Sequence, residues 1–244
     1  MIDTIMIDLD GTLLQFSQKA FINVYFTELK KNFIKLDMDA DSAVAAVWEG
    51  TKAMLLNDGS KLNTQRFWQK FAECLGLTGS RLSAVEASCD DFYRNEFNKA
   101  KSLFEPNDVP KRIVRNMASK GYDIVLATNP LFPLCAVESR LDWIGLCTQD
   151  FIFITHYANS TYCKPNPEYY REILSKINKT PEQCLMAGNN PVEDMSAGVL
   201  GMETFLVTDF LENETNTDIT GFRHGTLTEL ETFLMSLPDV TRGQ

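Results

Sequence analysis

The chain begins with a short apolar segment that ends in polar and turn-forming residues. Residues Thr4 to Leu9 include two isoleucines and a methionine, and Asp8, Asp10 and Gly11 stand at the end of this segment. An apolar run of this length bounded by a glycine turn is typical of a strand buried on both faces of a parallel sheet. The pattern therefore predicts a first strand with two aspartates at its carboxyl end.

The next part of the chain, from position 15 to position 104, has a different periodicity. Apolar residues recur there every three or four positions, as in Phe21, Val24 and Tyr25, and no convincing strand interrupts them. This spacing predicts amphipathic helices. We expect residues 15–104 to form an inserted α-helical cap domain.

Beyond position 106 the pattern alternates between helices and strands. The predicted helices span residues 110–120, 133–142, 167–178, 191–200 and 227–237, and the predicted strands span residues 123–128, 151–155, 183–187 and 203–207. Asn166 and Asn190 each precede a proline and are expected to cap helices, with Glu193 completing the second cap.

Such alternation predicts an α/β fold, in which a Rossmann-like parallel sheet carries helices on both faces. Residues 1–14 and 105–244 are expected to form this core. Ligands of open parallel sheets bind outside the carboxyl ends of the strands, so polar residues at those ends are the functional candidates.

Composition narrows the classes of partner. The chain has 23 Lys and Arg against 33 Asp and Glu, a net charge of −10, which opposes nonspecific attraction to nucleic acids and anionic membranes. No apolar stretch approaches the ~20 residues of a membrane span, and the N-terminus lacks the basic region of a signal peptide. We expect a cytoplasmic protein with reduced cysteines, either a monomer or a weak homodimer.

Four polar motifs follow one another along the chain. Three stand at the ends of predicted strands, and the one that contains Lys164 lies just before the helix predicted over 167–178. The four motifs are Asp8-Leu9-Asp10-Gly11-Thr12, Ala127-Thr128-Asn129-Pro130, Cys163-Lys164-Pro165 and Gly188-Asn189-Asn190-Pro191-Val192-Glu193-Asp194. This set in this order resembles the haloacid dehalogenase superfamily, specifically its phosphatase branch with a helical cap of the C1 type. The resemblance covers essentially the whole chain.

The resemblance implies a role for each motif. Asp8 would attack the phosphorus atom and form an aspartyl-phosphate, and Asp10 would act as general acid and then as general base. Thr128, Asn129 and Lys164 would bind the phosphate, with Thr128 and Lys164 also acting in catalysis. A cationic group is needed because a phosphate dianion repels a carboxylate nucleophile.

The resemblance also implies a magnesium ion, which prefers oxygen ligands and retains several waters. Asp8, the backbone carbonyl of Asp10, Asn189 and Asp194 would hold it. The sequence departs from the common family pattern at Asn189, where an aspartate is usual. An amide oxygen can ligate Mg²⁺ but contributes no charge.

These observations predict Mg²⁺-dependent hydrolysis of a small phosphate monoester, with a small phosphorylated metabolite as substrate. A phosphomutase or phosphotransferase would need the same two aspartates and remains an alternative. A phospho-ligand-binding protein weakened in catalysis by Asn189 is a second alternative. Dehalogenation is disfavoured, because the dehalogenase branch lacks the second acid that Asp10 provides here.

Overall fold

The fold is built on a six-stranded parallel sheet, seen in a computed structural model that describes residues 1–241. The strands are β1 (Thr4–Ile7), β2 (Asp123–Leu126), β3 (Phe153–Ile154), β4 (Cys184–Gly188), β5 (Glu203–Val207) and β6 (His224–Gly225). Their order is β3-β2-β1-β4-β5-β6, and every neighbouring pair is parallel. The two-residue β6 was not predicted because it is too short to give a sequence pattern.

Helices account for most of the remaining regular structure. The α-helices within residues 1–241 are α1 (Gln18–Lys35), α2 (Ala40–Leu55), α3 (Asn63–Leu75), α4 (Gly79–Arg94), α5 (Val109–Ser119), α6 (Leu134–Trp143), α7 (Pro167–Ile177) and α8 (Leu227–Ser236). Short 3₁₀ helices span Glu96–Leu103, Thr148–Asp150, Pro181–Gln183 and Met195–Leu200. None of the helices in the described part of the chain combines the length and apolar character that a bilayer span requires.

The two faces of the sheet support separate hydrophobic clusters. Successive side chains of a strand point to opposite faces, so Ile5 and Ile7 join one cluster and Met6 joins the other. Helices α5, α6 and α8 contribute to the first cluster, and α7 contributes to the second. The predicted α/β fold class with helices on both faces and a helical insertion is therefore confirmed.

The predicted α-helix over residues 191–200 is wrong. This segment begins as a series of turns and becomes a 3₁₀ helix only at Met195–Leu200. The Asn190 side chain accepts hydrogen bonds from the backbone N–H groups of Val192 and Glu193, and Asp194 Oδ2 accepts from the Asn190 backbone. These local side-chain bonds replace the start of an α-helical ladder.

The helical insertion leaves and rejoins the core through two adjacent connections. The rings of Phe16 and Phe104 lie 5.1 Å apart edge to face, and Asn107 Nδ2 donates to Gln15 Oε1 at 3.0 Å. This proximity supports the proposed boundary of the cap at residues 15–104, which stays a prediction. Residues 242–244 of the proposed core lie outside the described residues.

The start of α3 attaches the insertion to the loops beyond β2 and β3. The backbone N–H of Asn63 donates to the Ser160 carbonyl at 2.9 Å, and its buried side chain donates to the carbonyls of Pro130 and Tyr162 at 3.4 Å. These contacts hold the insertion against the loops that follow the strands' carboxyl ends. The same end of the sheet carries the predicted site residues.

The packing of α1 gives a testable contrast between neighbouring residues. Phe33 is fully buried, whereas Ile34 is 63% exposed. We expect Phe33→Ala to lower the free energy of unfolding by about 3–5 kcal/mol. Ile34→Ala should change it by less than about 0.5 kcal/mol. Urea unfolding followed by circular dichroism measures both, and equal losses in the two variants would contradict the helix register described here.

Candidate active site

The carboxyl ends of β1, β2 and β4 form one edge of the sheet, and the predicted site residues lie along it. Ile7 pairs with Leu126 of β2 and with Ala187 of β4. Asp8 follows directly, and its backbone N–H donates to the Ala187 carbonyl at 2.9 Å. Thr128 follows β2 two positions after Leu126. The strand register thus brings three of the four sequence motifs to the same edge.

Lys164 joins this edge from the segment before α7 and lies between two carboxylates. Its Nζ is 2.8 Å from Asp8 Oδ1 and 2.6 Å from Asp194 Oδ1. All three side chains are at least nine-tenths buried. Burial opposes the charge of Lys164, but Asp194 and Asp8 together raise its pKa well above the ordinary value. Lys164 is therefore a permanent cation in contact with Asp8.

The surroundings of Asp8 favour the neutral form of its side chain, whereas those of Lys164 favour the charged form. Burial raises the pKa of its carboxyl group to about 8, with further increases from Asp194 and Asp10 and an opposing effect of Lys164. In the protein alone, a proton on Asp8 is consequently favoured up to mildly alkaline pH. A bound cation that contacts the carboxylate would favour its ionised form.

Asn189 lies beside Asp8 with its amide group fixed in orientation. Its Nδ2 donates to the Phe210 carbonyl at 2.7 Å, while its Oδ1 accepts from Thr12 Oγ1 at 3.2 Å. The same Thr12 hydroxyl lies 3.3 Å from Asp8 Oδ2. An aspartate at position 189 would set a carboxylate oxygen against the Phe210 carbonyl, which explains why an amide suits this chain.

Two glycines leave room for these side chains. A Cβ atom on Gly11, whose φ is +80°, would lie 2.1 Å from Asn189 Nδ2. A Cβ atom on Gly188 would lie 2.1 Å from Cγ of Asp194. Both distances are impossible contacts, so the glycines of the first and fourth motifs are required by close packing around the site.

Asp194 is held on both of its carboxylate oxygens. Oδ1 accepts from Lys164, and Oδ2 accepts from the Asn190 backbone N–H at 2.9 Å. Its carboxylate therefore supports Lys164 and the turn at Asn190. Within residues 1–241, no three His, Cys, Asp or Glu side chains are grouped closely enough to form a metal site by themselves.

Asp10 forms an ion pair that the sequence did not predict. Its Oδ2 accepts from Nη1 of Arg140, a fully buried residue of α6. The Arg140 guanidinium also donates to the Ala136 carbonyl at 3.1 Å and stands 4.5 Å above the Phe132 ring. The other oxygen of Asp10, Oδ1, is buried and has no hydrogen-bond partner among residues 1–241. No hydrogen bond from the described residues therefore competes for that oxygen.

Arg140 could have been found from its position in the sequence. It lies four residues after Ala136 and one residue before Leu141, on the apolar face of α6. An arginine among apolar positions is rarely fully buried unless it pairs with an acid.

The second motif contributes Thr128 and Asn129. The Thr128 carbonyl accepts from Thr155 Oγ1 at 2.6 Å and from the Tyr169 hydroxyl at 2.9 Å, which fixes the strand end. Asn129 Nδ2 donates to Glu193 Oε2 at 3.0 Å, and its Oδ1 is buried without a partner among residues 1–241. Glu193 therefore contacts the second motif, where the sequence predicted only a helix cap.

A further acid, Glu212, was also missed. Burial raises its pKa to about 7, assisted by Glu193, Asp10 and Asp194. Its backbone N–H donates to the Asn189 carbonyl at 3.0 Å. The residue lies in an irregular segment after β5, and no local pattern marks it.

The comparison with protein families assigns the chain to one of them. The model of haloacid dehalogenase-like hydrolases matches residues 2–200. The protein belongs to this family. None of the curated proteins compared with the chain matches it.

Solved structures of haloacid dehalogenase (HAD) proteins share the architecture. A HAD phosphatase from Thermococcus onnurineus has a TM-score of 0.61 at 15% identity, over 98% of this chain and 100% of that one. L-2-haloacid dehalogenase from Xanthobacter autotrophicus has a TM-score of 0.57 at 14% identity, over 97% and 100%. The HAD hydrolase YfnB from Bacillus subtilis, solved with magnesium, has a TM-score of 0.58 at 18% identity, over 96% and 99%. At these identities the similarity establishes the fold alone.

The raised pKa of Asp8 predicts how stability depends on pH in this hydrolase. The folded-state pKa of about 8 exceeds the ordinary value of 3.8, so the folded state binds the proton more tightly between these values. The contribution of protonated Asp8 to stability is therefore lost as pH rises toward 8. Replacement by Asn removes this titration. When the pH is raised from 6 to 9, the free energy of unfolding of Asp8→Asn should therefore increase relative to that of wild type by on the order of 1–3 kcal/mol.

Urea unfolding in the presence of a chelator at both pH values measures this difference. Ile34→Ala, at an exposed position of α1, is the control and should show a difference that does not change with pH, because it removes no titratable group. A difference for Asp8→Asn that is the same at pH 6 and pH 9 would contradict the burial effect.

Proposed function

We propose that this hydrolase is a phosphatase that cleaves a phosphate monoester through an aspartyl-phosphate on Asp8. The observation that carries the proposal is the contrast between two neighbouring aspartates. Asp8 is buried against the cation of Lys164, whereas Asp10 presents a buried oxygen that has no partner among residues 1–241. A nucleophile beside a fixed cation and a second carboxyl group available to the substrate are what the two steps of phosphate ester hydrolysis need.

In the first step, a carboxylate oxygen of Asp8 bonds to phosphorus as the bond from phosphorus to the ester oxygen breaks. Protonated Asp10 gives its proton to that ester oxygen, and the alcohol leaves. In the second step, Asp10 takes a proton from water as the water oxygen bonds to phosphorus. The bond between Asp8 and phosphorus then breaks, and phosphate is released.

Lys164 would stabilise the negative charge of the phosphoryl oxygens, since it is already a buried cation next to the nucleophile. The Thr128 hydroxyl and Asn129 would bind the same oxygens. Hydrogen bonds fix the positions of both residues: the carbonyl of Thr128 accepts two of them, and Asn129 donates one to Glu193. Arg140 would hold Asp10 in position through Oδ2 and leave Oδ1 for the proton.

The donors around Asp8 fit Mg²⁺ by their chemistry. Asp8 Oδ2 and Asn189 Oδ1 both lie within 3.3 Å of the Thr12 hydroxyl, and both are the hard oxygen ligands that Mg²⁺ prefers. With the Asp10 carbonyl they would hold the ion directly, and Asp194 would act through water. When bound, the ion would supply positive charge that reduces the repulsion between the phosphate and Asp8.

Dehalogenation is the competing reaction within the family, since one similar structure is a dehalogenase. A halide leaves as an anion and needs no proton, whereas an alcohol does. Asp10 Oδ1, which has no hydrogen-bond partner among residues 1–241, therefore favours a phosphate ester over a haloacid.

The central test is phosphate release from a panel of phosphate monoesters with Mg²⁺ and with chelator. We expect Asp8→Asn to abolish Mg²⁺-dependent release, because no nucleophile remains. Asp10→Asn should lower kcat by about 10²–10⁴-fold, the usual value of acid and base assistance. Circular dichroism should show that both variants keep the fold. Asp91→Asn is the matched control and should retain wild-type turnover.

Each other result has a defined meaning. Turnover in Asp8→Asn equal to wild type would refute the aspartyl-phosphate. Transfer of phosphate to a sugar phosphate instead of water would indicate a phosphotransferase. Binding of phosphate without turnover of any ester would indicate a binding protein.

A further inference from the structure

A cavity of about 200 Å³ lies beside Asp10, between the helical insertion and the loop that precedes α6. Helices α1 to α4 line it from one side, and Leu131, Phe132 and Pro133 line it from the core. Twelve of the 22 residues that line the cavity are aromatic. Trp48 and Trp68 are among them. A wall of this composition binds apolar groups.

The position of Asp10 identifies which part of a substrate would enter the cavity. Asp10 is itself a lining residue, and in the proposed reaction it protonates the oxygen of the leaving alcohol. The carbon skeleton attached to that oxygen therefore extends from Asp10 into the cavity. Its chemistry must match the walls.

The charges of the cavity exclude a second anionic group. The only charged side chains among the 22 lining residues are Asp10 and Asp90, and none of these residues is lysine, arginine or histidine. A bisphosphate or a phosphorylated acid would place its second negative charge here without a cation among the lining residues to pair with it. Such substrates are disfavoured.

Several polar groups of the walls already form hydrogen bonds within the protein. The Tyr25 and Tyr93 hydroxyl groups bond to each other at 2.8 Å, and Thr51 Oγ1 donates to the Val47 carbonyl at 2.9 Å. A sugar or polyol would leave several hydroxyl groups without partners, at a cost for each one buried. The cavity therefore lacks the hydrogen-bonding groups that a carbohydrate needs.

We propose that the substrate is a phosphate monoester of an apolar alcohol, a proposal that rests on the phosphatase function above. The cavity sets the size: a cavity of roughly 150 Å³ holds one benzene ring, so this one holds a single aromatic ring with a short linker or an alkyl chain of similar size. The class of substrate is thus a small phosphorylated molecule whose alcohol is hydrophobic.

A homologous series of alkyl phosphates tests this directly. Ethyl, butyl and hexyl phosphate have similar leaving groups and differ only in apolar surface. We expect kcat/KM to rise by about fourfold for each added methylene group, the value of burying one methylene. Glycerol 3-phosphate, similar in size to butyl phosphate, should be hydrolysed about tenfold or more less efficiently.

A variant that fills the cavity should remove the chain-length dependence. Thr51→Phe places a ring in the cavity, and we expect the ratio of kcat/KM for hexyl and ethyl phosphate to fall by about tenfold or more. Trp48→Ala removes part of the wall at a position that is 50% exposed and tolerant of substitution, and it should lower the same ratio. Thr228→Phe, on the exposed surface of α8, is the matched control and should leave the ratio unchanged.

The outcomes separate this proposal from the proposed function. Release that depends on Asp8 but does not rise with chain length, or that favours glycerol 3-phosphate, would overturn the apolar substrate and leave the phosphatase intact. No Asp8-dependent release from any ester would overturn the phosphatase. The binding of hexylphosphonate and ethylphosphonate to Asp8→Asn, followed by the fluorescence of Trp48 and Trp68, would then decide whether the cavity takes an apolar ligand. Tighter binding of the hexyl compound supports an apolar ligand, and equal binding refutes it.

Discussion

The buried contact of Lys164 with Asp8 and Asp194 is the interaction on which the arrangement of the site depends. It joins the end of β1, the segment before α7 and the turn after β4. Since a proton on Asp8 is favoured in the protein alone, loss of Asp194 would leave the buried charge of Lys164 uncompensated, which costs about 3–5 kcal/mol. The position of the proposed nucleophile, the raised pKa of Lys164 and the closely packed turn at Gly188 all follow from this contact. Its charges also set the electrostatics that a phosphate would meet.

A second ion pair, between Arg140 and Asp10, lies between two parts of the site that differ in chemistry. On one side of Asp10 lie Asp8 and Lys164, which suit a phosphoryl group. On the other side lies an aromatic cavity, which suits an apolar group. The net charge of −10 makes local cations such as Lys164 and Arg140 necessary, because the protein as a whole repels a phosphate. In the proposed reaction, the helical insertion would supply most of the walls around the alcohol, and the core would supply the catalytic residues.

The sequence was informative where a structural feature is local. The apolar run before Asp8 and the glycine turn after it predicted β1, and helical spacing predicted the insertion. Asp8 and Lys164 are 156 positions apart, so only the family resemblance connected them. The position of Arg140 on the apolar face of α6 marks it as unusual, but its pairing with Asp10 was missed because it depends on how α6 packs. The helix over 191–200 was wrong because side-chain bonds of Asn190 and Asp194 reshape the backbone. The cavity could not be predicted, since it depends on side-chain directions in α1 to α4.

The most direct measurement of the central claim is detection of phosphate on Asp8 during turnover. The enzyme would be mixed with Mg²⁺ and an alkyl phosphate, quenched in acid within the first turnover and analysed by peptide mass spectrometry. The account predicts a phosphorylated peptide from the end of β1, with the modification on Asp8. The phosphorylated enzyme should accumulate further in Asp10→Asn if loss of the base slows the second step more than loss of the acid slows the first. Hydrolysis without any phosphate on Asp8, or with phosphate on another residue, would contradict it.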